Sequence, residues 1–111
     1  MHTNTDTDTD TDLEKLTADY CASFPEKKVQ LEEAFRQIIQ NNWSKESLIA
    51  LKYLAHKLSG STGLYGFTKL SDLIQSLEKA IDRFKQSNAE KETISETLTD
   101  ILEQFDLEIS H

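Results

Sequence analysis

Apolar side chains recur at helical spacing along most of this chain, and strand-like alternation is almost absent. Leu31, Ala34, Phe35 and Ile38 fall at i, i+3, i+4 and i+7, which gathers them on one face of a helix. The same logic groups Leu48, Leu51, Ala55, Leu58, Thr62 and Tyr65 on a second helix. Leu70, Leu73, Ile74, Leu77, Ile81 and Phe84 form a third stripe, and Ile94, Leu98, Ile101, Leu102 and Phe105 a fourth. Leu13, Leu16 and Tyr20 mark a shorter helix before them. Four substantial amphipathic helices joined by short polar turns predict an all-α, antiparallel up-down-up-down four-helix bundle, here with a short extra N-terminal helix. The Leu, Ile and aromatic stripes are expected to be its core.

Local signals place the helix ends. Thr11 with Glu14, Ser23 with Glu26, and Ser87 with Glu90 have the spacing of capping boxes, and Pro25 is tolerated in a first turn. Asn41 and Asn42 should close the second helix, and Ser44 should cap the third with Trp43 stapled on Leu48. Thr68 is the candidate cap of the fourth, and Gly66 is placed to end the third.

Residues 1–12 differ from the rest. Thr3 to Asp12 alternate threonine with asparagine or aspartate and hold no apolar side chain, so ordering them is not offset by burial. They read as a disordered acidic lead-in, or as a cloning remnant, with the bundle domain at 13–111. A chain of 111 residues forms one core and not two.

Charge narrows the partners. Twelve Lys and Arg against 20 Asp and Glu give a net charge of -8, which opposes nucleic acid and anionic membranes at long range and favours a protein partner. No apolar run reaches the length of a bilayer span, and no secretory pattern opens the chain. The single cysteine, Cys21, has no internal disulfide partner and reads as a small core residue. A cytoplasmic monomer is expected. Histidines at 2, 56 and 111 lack metal-ligand spacing, so neither a metal nor a bound cofactor is expected.

All three glycines lie within seven residues, at Gly60, Gly63 and Gly66, just behind His56. Glycine costs a helix about 1 kcal/mol relative to alanine, so two of them inside a predicted helix suggest a demand for bare backbone. At about 100° per residue His56 points roughly 140° from the centre of the core stripe. Gly60 and Gly63 fall on its side, with Ile49, Lys52, Tyr53 and Ser59 around them. An exposed imidazole beside bare backbone, rimmed by apolar and cationic groups, is the predicted site.

These residues resemble the histidine-containing phosphotransfer (HPt) domain family. The family's motif has a histidine on a bundle helix, a glycine four residues on, a small residue at seven, commonly a glycine at ten, and then a Leu-rich helix ending in Leu-Glu. Here those are His56, Gly60, Gly63, Gly66 and the stretch Leu70 to Glu78. Many members carry lysine three residues after the histidine, where this chain has Ser59; its base is Lys57. The resemblance implies that His56 accepts a phosphoryl group from an aspartyl phosphate on a response-regulator receiver domain and passes it to another receiver. It also implies a hybrid sensor histidine kinase upstream, and Mg2+ held by the receiver and not by this chain.

The residue chemistry is compatible with that implication. An ordinary imidazole is largely neutral at pH 7 and is nucleophilic without a dedicated base. Phosphoryl transfer asks chiefly for positioning, charge compensation and an open line of approach. Gly60 and Gly63 would provide access, Lys57 and Lys52 charge, and Ser59 a hydrogen bond. Two other readings stay open from the sequence. One is a helical adaptor that docks a receiver or kinase without accepting phosphate. The other, an enzyme, is opposed by the absence of Glu-x-x-His pairs and of any glycine-rich nucleotide loop. A phosphoryl carrier without kinase activity of its own is expected.

Overall fold

A computed structural model describes the backbone of residues 2–110 and the side chains from Asp12 to Ser110. Five helices follow in order: α1 (His2–Ala22), α2 (Phe24–Gln40), α3 (Lys45–Leu64), α4 (Thr68–Asp82) and α5 (Asn88–Ile109). No strand occurs among the described residues. Helices α2 to α5 close a ring in which each packs on the next and α5 returns to α2. Their stripes meet inside. Phe24, Leu31, Ile38, Leu51, Ala55, Ile74, Leu77, Ile94, Ile101 and Phe105 lose all contact with solvent. Ala34, Phe35, Leu73, Phe84 and Leu102 close the core from its margin.

The turns explain the short connections. The last turn of α2 ends in a reversal through Asn42, which takes φ 54°. The Trp43 N–H bonds back to Ile38 O at 2.7 Å and the Asn42 N–H to Ile39 O at 3.2 Å, the Schellman pattern. α3 ends the same way through Gly66 at φ 87°, with the Phe67 N–H bonding to Thr62 O at 2.8 Å and the Gly66 N–H to Gly63 O at 3.1 Å. Only a residue at ease with positive φ fits there, so Gly66 is the helix terminator expected. Ser44 accepts from the Ser47 N–H, and Ser87 and Glu90 form both halves of a capping box.

Two expected caps are replaced. Ser23 keeps helical φ and ψ and makes no capping bond to α2; its hydroxyl donates to Tyr20 O and accepts from Lys27 Nζ. A capping side chain needs an extended backbone at its own position, and the tight α1–α2 join does not supply one. At α4 the N-cap is Phe67, because the Schellman turn of α3 commits Phe67 to the junction and Thr68 is already helical. Trp43 rests edge-on against Phe35 and tilted on Phe84.

Helix α1 runs from His2 to Ala22 and includes Leu13, Leu16 and Tyr20, the residues expected to mark a short N-terminal helix. The side chains of residues 1–11, and with them Thr11 as a cap, lie outside those described. Leu13 and Leu16 are 60% and 53% exposed and are not core. α1 meets the bundle through its C-terminal end, where Tyr20 and Cys21 pack on the core. Tyr20 stacks on Tyr65 at 4.4 Å and bonds the Ser61 hydroxyl, and burial pushes its phenol pKa up. Burial, with Glu108 nearby, likewise pushes the Cys21 thiol up, which disfavours the reactive thiolate.

Candidate phosphotransfer site

His56 sits at the middle of α3 on the face away from the core, with 78% of its side chain exposed. Its Nδ1 lies 2.9 Å from Oε1 of Glu78, whose side chain is only 15% exposed. Glu78 follows the core residue Leu77 on α4, and that position aims its carboxylate across the α3–α4 seam. An ionised carboxylate accepts hydrogen bonds and donates none. Its contact with Nδ1 therefore holds the proton on Nδ1 and leaves the lone pair of Nε2 facing solvent.

Ser59 does not join the exposed face. It is 8% exposed, with Oγ 3.2 Å from Glu78 Oε2 and 3.0 Å from His56 O. On the helix wheel it falls between the core stripe and His56, roughly 60–70° from each, and that flank is where α4 packs. The buried arc of α3 is thus wider than its apolar stripe, because both α2 and α4 lie against it.

The two glycines separate for the same reason. A Cβ built on Gly60 meets nothing within 4 Å, so the surface one turn beyond His56 is open. A Cβ on Gly63 would come within 3.2 Å of Ser71 Oγ. That hydroxyl is pinned, donating to Ser59 O at 3.0 Å and accepting from Gln75 Nε2 at 3.1 Å. Gly63 is therefore a close-packing position between α3 and α4 as well as part of the bare backbone near the histidine.

The cations also separate. Lys52 pairs with Asp82 of α4. Lys57 makes no ion pair among the described residues, and its Nζ lies 5.3 Å from the centre of the Tyr53 ring, within cation–π range. Ile49, Lys52, Tyr53, His56, Glu78 and Asp82 line an open hollow, and Ile49 and Tyr53 are exposed at its rim. The structure thus gathers His56, Ile49, Lys52 and Tyr53 around one hollow, keeps Lys57 and Gly60 on the open side, and turns Ser59 inward. Glu78 is the site residue that the sequence left without a role. Its signal in the sequence is the Leu77-Glu78 pair that closes the Leu-rich stretch, an acid placed directly beside a core leucine. Among the described residues, no group of three or more His, Cys, Asp or Glu is placed to hold a metal, and no helix is long and apolar enough to cross a membrane.

The family model of the Hpt domain matches residues 15–108. No curated protein and no solved structure matches the chain at a significant level. The match spans the helical bundle and the whole of the histidine face, and the chain accordingly belongs to the Hpt domain family, with the phosphotransfer role in two-component signalling and the receiver-domain partners which that membership implies.

Proposed function

We propose that this protein is a phosphorelay intermediate that takes a phosphoryl group onto Nε2 of His56 from the aspartyl phosphate of a receiver domain and returns it to another receiver. The observation that carries this is the pairing of an exposed imidazole with a covered carboxylate, His56 Nδ1 to Glu78 Oε1 at 2.9 Å. In the forward step the Nε2 lone pair forms the N–P bond. The acyl P–O bond breaks, and its electron pair returns to the receiver's aspartate carboxylate. No proton has to move. The ring becomes cationic while keeping its Nδ1 proton, and Glu78 faces the new charge across a charge-assisted hydrogen bond. Transfer to the next receiver is the same step reversed.

The remaining residues fit this scheme. Open space over Gly60 lets a receiver bring phosphorus to within about 3–3.5 Å of Nε2 for in-line attack. Lys57, free of any carboxylate pair among the described residues, offsets charge on the equatorial phosphoryl oxygens. Ile49 and Tyr53 offer the receiver an apolar rim. The magnesium ion belongs to the receiver, and a hybrid sensor histidine kinase is the source of phosphate. The chain acts in the cytoplasm, as a monomer. Incubation with a phosphorylated receiver tests the scheme. A label that is acid-labile and base-stable is expected, and failure of any tested receiver to transfer label would favour a docking adaptor.

A further inference from the structure

We propose that Ser59 is a positioning residue that fixes the tautomer of His56 through Glu78. Glu78 reaches His56 from another helix, and the terminal torsion of a glutamate side chain has a broad, soft profile. One hydrogen bond from Nδ1 to Oε1 would leave the carboxylate plane free to swing about that contact. The second oxygen removes this freedom, because Oε2 lies 3.2 Å from the Ser59 hydroxyl. That hydroxyl has one proton and two acceptors in reach, since His56 O lies 3.0 Å away. The carbonyl already receives the helical N–H four residues on, and a carboxylate is the stronger acceptor. The proton therefore goes to Glu78.

The anchor is rigid. Ser59 is buried, and its own carbonyl accepts from the Ser71 hydroxyl of α4 at 3.0 Å, so both helices hold it. The result is a relay of fixed direction: the Ser59 hydroxyl donates to Glu78 Oε2, and His56 Nδ1 donates to Oε1. A lysine at this position would bring a mobile cation; the serine brings a short donor locked in the α3–α4 seam. Its consequence for transfer presupposes that His56 is the phosphoryl acceptor proposed above.

The experiment compares wild type with Ser59→Ala, Ser59→Thr, Glu78→Ala and the Ser59→Ala/Glu78→Ala double variant. Ring nitrogen-15 shifts of His56 in the unphosphorylated protein report the tautomer, transfer from an acetyl-phosphate-loaded receiver reports function, and melting temperature reports folding. Ser59→Ala is expected to shift the ring from the Nδ1–H form toward a mixture and to slow transfer by up to about tenfold, at a nearly unchanged melting temperature. Ser59→Thr, which keeps the hydroxyl, should restore the wild-type tautomer. In the Glu78→Ala background the serine change should add nothing, since both act through one contact. A wild-type tautomer population in Ser59→Ala overturns the proposal, and so does a full additional effect in the double variant. A tautomer shift in a protein that takes no phosphate upholds the positioning role and rejects the phosphotransfer role.

Discussion

His56 and Glu78 stand 22 residues apart in sequence and 2.9 Å apart in space, the imidazole exposed and the carboxylate nearly covered. Removing the carboxylate frees Nδ1 and lets the ring proton move to Nε2, where it blocks attack. Glu78→Ala should slow phosphoryl acceptance by about 10–100-fold, by analogy with the range found when partners that orient a metal-ligating histidine are lost. Glu78→Gln keeps an acceptor oxygen but not the charge and should fall between that variant and wild type. Single-turnover transfer from a saturating phosphorylated receiver measures this; wild-type rates in both variants would remove Glu78 from the mechanism.

Gly60 and Gly63 should fail in different ways. Gly60→Leu places a side chain in open space and replaces a poor helix former, gaining up to about 1 kcal/mol of stability, yet it should abolish transfer by obstructing the receiver. Gly60→Ala should be intermediate in rate. Gly63→Ala must displace the pinned Ser71 hydroxyl 3.2 Å away. Overpacking costs about 1–3 kcal/mol against the gain of about 1 kcal/mol in helix propensity, so a net loss is expected. Adding Ser71→Ala should recover stability. Melting curves and transfer rates on the same preparations separate the two; a destabilised Gly60→Leu would show that this face is not open.

The lysines differ in what already occupies them. Lys52 is paired with Asp82, whereas Lys57 rests over the Tyr53 ring with no carboxylate partner among the described residues. Lys57→Glu should therefore slow transfer more than Lys52→Glu, with each changing stability by no more than about 0.5 kcal/mol. Equal rates for Lys57→Glu and wild type would make Lys57 a bystander.

The α5 cap should show in the pH dependence of stability. The Lys85 N–H and then the Ser87 hydroxyl donate to Glu90 and hold its carboxyl below the ordinary carboxylate value. A lowered folded pKa means that the unfolded chain binds the proton more readily. The stabilisation is complete above the unfolded value of about 4.3 and is lost as pH falls through the lower folded one. Glu90→Gln should flatten that part of the acid limb in a melting-temperature series. An unchanged limb would mean that other carboxylates dominate it.

Much of this architecture is legible in the sequence because helical periodicity is a local property. The stripes of α2 to α5, the caps at Ser44 and Ser87 and the terminator at Gly66 all depend on residues within a few positions of one another. What was not legible depends on how helices meet. Ser59 and Gly63 carry no apolar signal, yet α4 covers the first and crowds the second. Glu78 acquires its role only when the α3–α4 seam brings it to His56. Leu13 and Leu16 have core spacing, but among the described residues α1 packs on the core through Tyr20 and Cys21 near its C-terminal end, and spacing cannot report where a partner helix stops. Ser23 and Thr68 failed as caps because the backbone at each junction, not the side chain, decides whether a hydroxyl can reach the helix N–H groups.

The most direct measurement is the identity of the atom that carries phosphorus. Protein labelled from a phosphorylated receiver is examined by peptide mapping and by nitrogen–phosphorus coupling at the imidazole, beside a His56→Gln variant whose helical content and melting temperature are followed in parallel. Phosphorus on Nε2 of His56 is predicted, with acid-labile, base-stable label, and His56→Gln should lose all label while remaining folded, since the side chain it replaces is exposed. Label retained by folded His56→Gln, or phosphorus found on any other residue, would contradict the assignment of His56 as the acceptor.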